Sequence, residues 1–117
     1  MNATGDIVAV GAIQVGATVS KGYVSIYEWN GSSWNKKGTD IIGESDPDFF
    51  GRGLSMNSAG DRIAIGAGQG DSVNGLNSGH VKIYTWINPN WVQVGENIDG
   101  PTAGDNFGGA WNVSMND

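Results

Sequence analysis

Met1-Asn2-Ala3-Thr4-Gly5-Asp6-Ile7-Val8-Ala9-Val10-Gly11-Ala12 returns 55 residues later as Met56-Asn57-Ser58-Ala59-Gly60-Asp61-Arg62-Ile63-Ala64-Ile65-Gly66-Ala67. Working outward, Gly22-Tyr23-Val24-Ser25-Ile26-Tyr27-Glu28-Trp29 returns as Gly79-His80-Val81-Lys82-Ile83-Tyr84-Thr85-Trp86. Trp34, Gly38, Ile41, Gly43, Asp48, Phe50 and Gly51 return as Trp91, Gly95, Ile98, Gly100, Asp105, Phe107 and Gly108, all 57 residues on. The change of offset places a two-residue insertion in one loop. Self-similarity at a period above about 50 residues is the mark of arrays that repeat one supersecondary unit. The C-terminal stretch Phe107 to Asp117 restarts the segment Phe50 to Asn57 with two extra residues. The strand expected before Met1 thus has its counterpart at the other end of the chain.

Twenty glycines among 117 residues, with many Asn, Asp and Ser, leave 38% hydrophobic residues. These are gathered into short runs, which argues for many short strands between tight turns and against disorder. A formal charge of −6 and a pI near 4.4 disfavour nucleic acid and anionic membranes as partners, since like charges repel. The absence of cysteine excludes disulfides and thiolate metal sites. No stretch reads as a membrane span or export signal, so no membrane insertion is expected and the compartment stays open. Three Asn-x-Ser/Thr sequons begin at Asn2, Asn30 and Asn112, a motif short enough to arise by chance in an Asn-rich chain.

Apolar runs of strand length lie at about 50–56, 62–67, 80–87 and 91–98 in the second unit and about 7–13, 22–29 and 33–42 in the first. None has a 3.6-residue period. Val8 to Ala12 and Ile63 to Ala67 have no polar face, so both faces of their sheets should be buried against neighbours, with Gly and Ala permitting close approach. That requirement fits four-stranded sheets stacked face to face around an axis. A two-sheet sandwich of about eight strands is the competing architecture, though sandwiches rarely repeat their sequence unit by unit.

The pattern carried by Phe50 to Ala67, followed by Asn77 to Tyr84 and Gly104-Asp105-Asn106-Phe107-Gly108, resembles the FG-GAP repeats of β-propellers, known from integrin α-subunits and bacterial surface or secreted proteins. The resemblance spans essentially the whole chain. It implies an all-β propeller of four-stranded antiparallel blades, with the Phe-Gly strand innermost and the Gly-Ala strand next. It also implies binding or scaffolding in place of catalysis, and an extracellular or cell-surface setting. Two blade-equivalents are expected per chain: about 1–48, lacking its inner strand, and about 49–106, with 107–117 as an inner strand given to the next blade. Family members that hold calcium use a carboxylate-rich loop between the first two strands. The matching stretches here, Asn2 to Asp6 and Asn57 to Asp61, keep one carboxylate each, against the six to eight oxygens calcium takes. No cofactor is therefore expected; Asp71, Asn74 and Asn77 in the 68–79 loop are the candidate oxygen ligands should calcium bind.

Two blades do not close a ring of four to eight. The expected partner is the chain itself, joined head to tail, with a homotrimer of six blades favoured and a tetramer of eight as the alternative; the rival expectation is a piece of a longer propeller, such as a seven-bladed one. Phe107, Gly108, Trp111, Val113 and Met115 would be the exchanged strand. A protein or glycan ligand would bind on loops of the ring face. Trp29, Trp34, Trp86 and Trp91 are the candidate glycan-stacking residues, read otherwise as cross-strand pairs. A propeller-fold hydrolase or lyase is the remaining alternative. It would need converging titratable groups, whereas His80 reads as a solvent-facing strand residue and Glu44 to Asp48 as a solvated connection.

Overall fold

The computed structural model describes residues 1–15, 18–44, 49–68, 78–105, 107–108 and 113–116. Among the described residues the apolar runs become nine β-strands and no helix occurs: β1 (Ile7–Val15), β2 (Thr18–Trp29), β3 (Trp34–Lys36), β4 (Ile41–Ile42), β5 (Phe50–Met56), β6 (Arg62–Ala67), β7 (His80–Ile87), β8 (Asn90–Gln93) and β9 (Ile98–Asp99). They form two antiparallel sheets. The first is ordered β1-β2-β3 with β4 also on β2, and the second β5-β6-β7-β8 with β9 also on β7. Each expected outer strand is thus split. Lys37 to Asp40 and Val94 to Asn97 interrupt it at the same place, with the Lys37 and Val94 N–H groups donating to Ile26 and Ile83 carbonyls, both at 2.7 Å.

The sheets repeat one another in register as well as in sequence. Gly11 pairs with Val24 and Gly66 with Val81; Trp29 pairs with Trp34 and Trp86 with Trp91. They differ at one edge, where β5 borders β6 while β1 has no equivalent partner among the described residues. They differ also between the first unit's runs at 7–13 and 22–29, where residues 13–15 and 18–21 continue β1 and β2, with Gln14 opposite Val19.

Alternation along the strands sets which side chains meet. Val24, Ile26, Ile7 and Ile41 from the first sheet pack against Phe50, Ile63, Ile65 and Ala67 from the second. A fully buried isoleucine or valine contributes about 1.5–3 kcal/mol relative to exposure, so this face-to-face layer is the main adhesive of the fold. Gly11 permits the approach: a Cβ there would fall on the Gly51 carbonyl. On the far side of the second sheet the same relation recurs between Gly66 and the Gly108 carbonyl, and Phe107 makes a parallel bridge with Gly79. Residues 107–108 therefore lie over the second sheet as 50–51 lie over the first.

Candidate functional site

The two tryptophan pairs have the same internal geometry and opposite surroundings. Ring centroids are 5.4 Å apart at 53° for Trp29–Trp34, and 5.3 Å at 54° for Trp86–Trp91. Each pair hangs from the same backbone bond, with the Trp29 N–H on the Asp6 carbonyl and the Trp86 N–H on the Asp61 carbonyl, both 2.8 Å. Trp86 and Trp91 are covered by the first sheet: the Trp91 Nε1–H donates to the Lys37 carbonyl at 2.8 Å, Lys37 Nζ sits 5.0 Å from the Trp86 ring, and Gly38 lies under both rings. Trp29 and Trp34 are uncovered, at 41% and 44% exposure. Of four candidate stacking residues, two thus present open rings. The sequence did not flag Lys37-Gly38 and their equivalents Val94-Gly95 as contact residues. The signal that would have found them is the spacing itself, since Gly38 and Gly95 recur at the same offset as the tryptophans.

The turns between first and second strands are held by an asparagine amide. Asn57 Oδ1 accepts from the N–H groups of Gly60, Asp61 and Arg62, and Asn57 Nδ2 donates to Asp61 Oδ1 at 2.7 Å. Asn2 does the same for Asp6 and Ile7, with Nδ2 to Asp6 Oδ1 at 2.6 Å. Thr4 and Asn2 hydrogen bonds hold the Asp6 carboxyl below the usual carboxylate range. In both turns an amide N–H donor therefore lies beside the aspartate carboxylate. No group of three or more metal-ligating side chains occurs among the described residues. Asp71, Asn74 and Asn77 lie outside them.

His80 corrects the sequence expectation. It is 1% exposed, and its ring nitrogens have no hydrogen-bond partner among the described residues. The cause is β7 alternation: His80, Lys82 and Tyr84 share the face that packs on the first sheet, opposite Ala67, Ile65 and Ile63. Buried Lys82 forms an ion pair with Glu44 of the connecting segment, and that hydrogen bond lowers the Glu44 carboxyl. Burial, with Glu44 nearby, raises the Tyr84 phenol. Asp46 and Asp48 lie outside the described residues.

Of the expected exchange strand, Phe107, Gly108, Val113 and Met115 are described and Trp111 is not. The Met115 N–H donates to Ser55 Oγ at 2.8 Å. A cleft of about 600 Å³ lies between this segment and the sheet, lined by Ala64, Ile83, Ile98, Phe107, Val113 and Met115. Its sheet side is apolar, while Ser114 and Asn116 add polar groups on the side of the segment. Comparison with known proteins finds no family model that matches the chain, and no curated protein that matches it.

Proposed function

We propose that the chain is a non-enzymatic binding or scaffolding module that builds a β-propeller ring by self-association, three copies supplying six blades. One observation carries the reading: the two outward faces are copies of the two faces already packed together inside the molecule. Val8, Val10 and Ala12 on the open side of the first sheet correspond to Ile63, Ile65 and Ala67, which are buried at the internal junction. Ala64, Gly66, Val81 and Ile83 on the far side of the second sheet correspond to Ala9, Gly11, Val24 and Ile26. A surface that fits its copy within one chain fits it between chains, as a heterologous contact that closes by rotation. The edge of β1, unpartnered among the described residues, matches the position where residues 107–116 would add an inner strand, and an open edge with an apolar face favours such pairing.

The carboxylates support a structural over a catalytic role. Asp6 and Asp61 are held by asparagine amides, Asp40 by Ser25 and Lys36, and Glu44 by Lys82. Native mass spectrometry of the whole chain tests the proposal. A species of three times 12.2 kDa is expected, and deletion from Phe107 onward should leave monomers. A monomeric full chain at 100 μM-order concentration, or an oligomer indifferent to the deletion, would refute it. The glycan-binding reading rests on the exposed Trp29–Trp34 pair, and glycan-array binding abolished by Trp34→Ala in a monomeric chain would favour it.

A further inference from the structure

We infer that the exposed Trp29–Trp34 pair of one copy seats on Val94-Gly95 of a second copy of this chain, with the Trp34 indole N–H donating to the Val94 carbonyl. This rests on the ring-forming reading above and specifies where the copies lock.

The seat already exists once inside the molecule. There the second sheet supplies Trp86 and Trp91 and the first supplies Lys37-Gly38, joined by the 2.8 Å bond from Trp91 Nε1 to the Lys37 carbonyl. Both halves recur, unoccupied by each other, on the outward faces. Trp29 and Trp34 have the ring geometry of Trp86 and Trp91 to within 0.1 Å and 1° (5.4 against 5.3 Å, 53° against 54°). Val94-Gly95 has the backbone of Lys37-Gly38: the preceding N–H makes the same 2.7 Å bond, and the glycines sit at φ 72° and 82°. Gly38 is packed under the rings, so that a Cβ would lie 2.8 Å from Trp86 Cζ3 and 3.1 Å from Trp91 Cδ1, whereas a Cβ at Gly95 would meet nothing within 4 Å. Among the described residues nothing fills that socket.

Chemistry at the seat favours a copy of the chain as the occupant. Where the internal seat has Lys37, the outward one has Val94, 39% exposed, and Ile87 and Val92 of the same β7–β8 hairpin are exposed as well. An apolar side chain next to a carbonyl acceptor matches an indole, whose ring wants burial and whose N–H then needs a partner. At the position of Lys82 the first sheet has Ser25, and at that of Glu44 the second unit has Pro101. Seating one copy on another therefore strands neither member of that ion pair, and burying an unpaired charge is what most often forbids such a contact.

Gly95→Asn is the cleanest probe. Asparagine tolerates positive φ, its Cβ has free space in the single chain, and it would collide with the incoming ring. Trp34→Ala removes the other half, and since Trp34 is exposed the fold should survive it. By light scattering at matched concentration, both variants should be monomers under conditions where the unaltered chain assembles. Trp34→Phe, which keeps a ring and loses the donor, should weaken assembly roughly tenfold. An equimolar mixture of Gly95→Asn and Trp34→Ala should yield a one-to-one dimer, since each retains the half that the other lacks. Assembly unchanged in both variants, with dissociation still caused by deletion from Phe107, would overturn the seat while leaving the ring reading intact. A monomeric unaltered chain would remove both.

Discussion

Trp91 reaches across the junction between the sheets to give its indole N–H to the carbonyl of Lys37, 54 residues away in the chain. Trp34, its equivalent, packs on Trp29, but its indole N–H has no such acceptor among the described residues. Loss of a satisfied, partly buried hydrogen bond costs about 0.5–1.5 kcal/mol. Trp91→Phe should therefore lower unfolding stability by about 1 kcal/mol, and Trp34→Phe by close to zero, in urea titrations at concentrations where the chain is a monomer. Equal losses would mean that the internal bond contributes little.

His80 occupies a fully buried site with both ring nitrogens unpartnered among the described residues. An unsatisfied buried polar group costs about 1–3 kcal/mol. His80→Phe keeps an aromatic ring and removes the polar atoms, so stability should rise by about 1 kcal/mol, moving the thermal midpoint up by several degrees. A drop in the midpoint would indicate that the imidazole is bonded after all.

The repeat, the strand runs and the paired tryptophans were legible in the sequence because each rests on local pattern. What was illegible depended on which face of a repeated unit is covered. His80 and Tyr23 hold equivalent positions, yet one is buried beneath a neighbouring sheet and the other only partly covered. The same holds for Trp91 and Trp34. Two equivalent residues of a repeated unit differ by neighbours, and neighbours are a tertiary fact. The split outer strands escaped for another reason: Lys37 to Asp40 carries no proline and only one glycine, so its break shows in the backbone bond to Ile26 and not in composition.

Asn57 holds its turn through three accepted N–H bonds and one donated to Asp61. Asn57→Ala should destabilise by about 1–3 kcal/mol. Asn57→Asp retains the acceptors but opposes two carboxylates across 2.7 Å, so its deficit should be larger at pH 7 than at pH 4, where one of them is protonated. Calorimetry at the two pH values separates these cases. Added calcium should leave the unaltered chain's midpoint unmoved and partly rescue Asn57→Asp, whose turn then offers two carboxylates.

Five perturbed groups shape the pH dependence, among them Lys36, raised by its hydrogen bond to Asp40, whose contribution is present below its unfolded value and lost on the alkaline side. Hydrogen bonds from Thr4 and Asn2 lower Asp6, Lys36 and Ser25 lower Asp40, and Lys82 lowers Glu44. A carboxyl lowered in the folded state contributes stability above its unfolded value, near 4, and that contribution is lost as pH falls through the folded value. Tyr84, raised by burial, acts in the opposite sense: its contribution is present below about 10 and is lost as pH rises beyond. The thermal midpoint should form a plateau between about pH 5 and 10 with a fall on each side. Asp40→Asn should flatten the acid limb, and an unchanged acid limb would remove Asp40 from the account.

Gly11 and Gly66 occupy equivalent positions but guard different contacts. A Cβ at Gly11 meets the Gly51 carbonyl, inside the junction that holds the two sheets together; a Cβ at Gly66 meets the Gly108 carbonyl, in the segment that crosses the far face. Backbone cannot retreat as a flexible side chain can, so Gly11→Ala must pry the sheets apart and should cost 2 kcal/mol or more, on the scale of overpacked cores, roughly 1–3 kcal/mol and occasionally above. Gly66→Ala should instead displace residues 107–116 and leave the sheets packed, with little change in the main unfolding transition. Amide hydrogen exchange distinguishes the two, because Gly66→Ala should lose protection at Phe107 and Met115, whose N–H groups bond to the Ser78 carbonyl and Ser55 Oγ, while Ile63 and Ile65 stay protected. Global loss of protection from Gly66→Ala would place the C-terminal segment within the cooperative core.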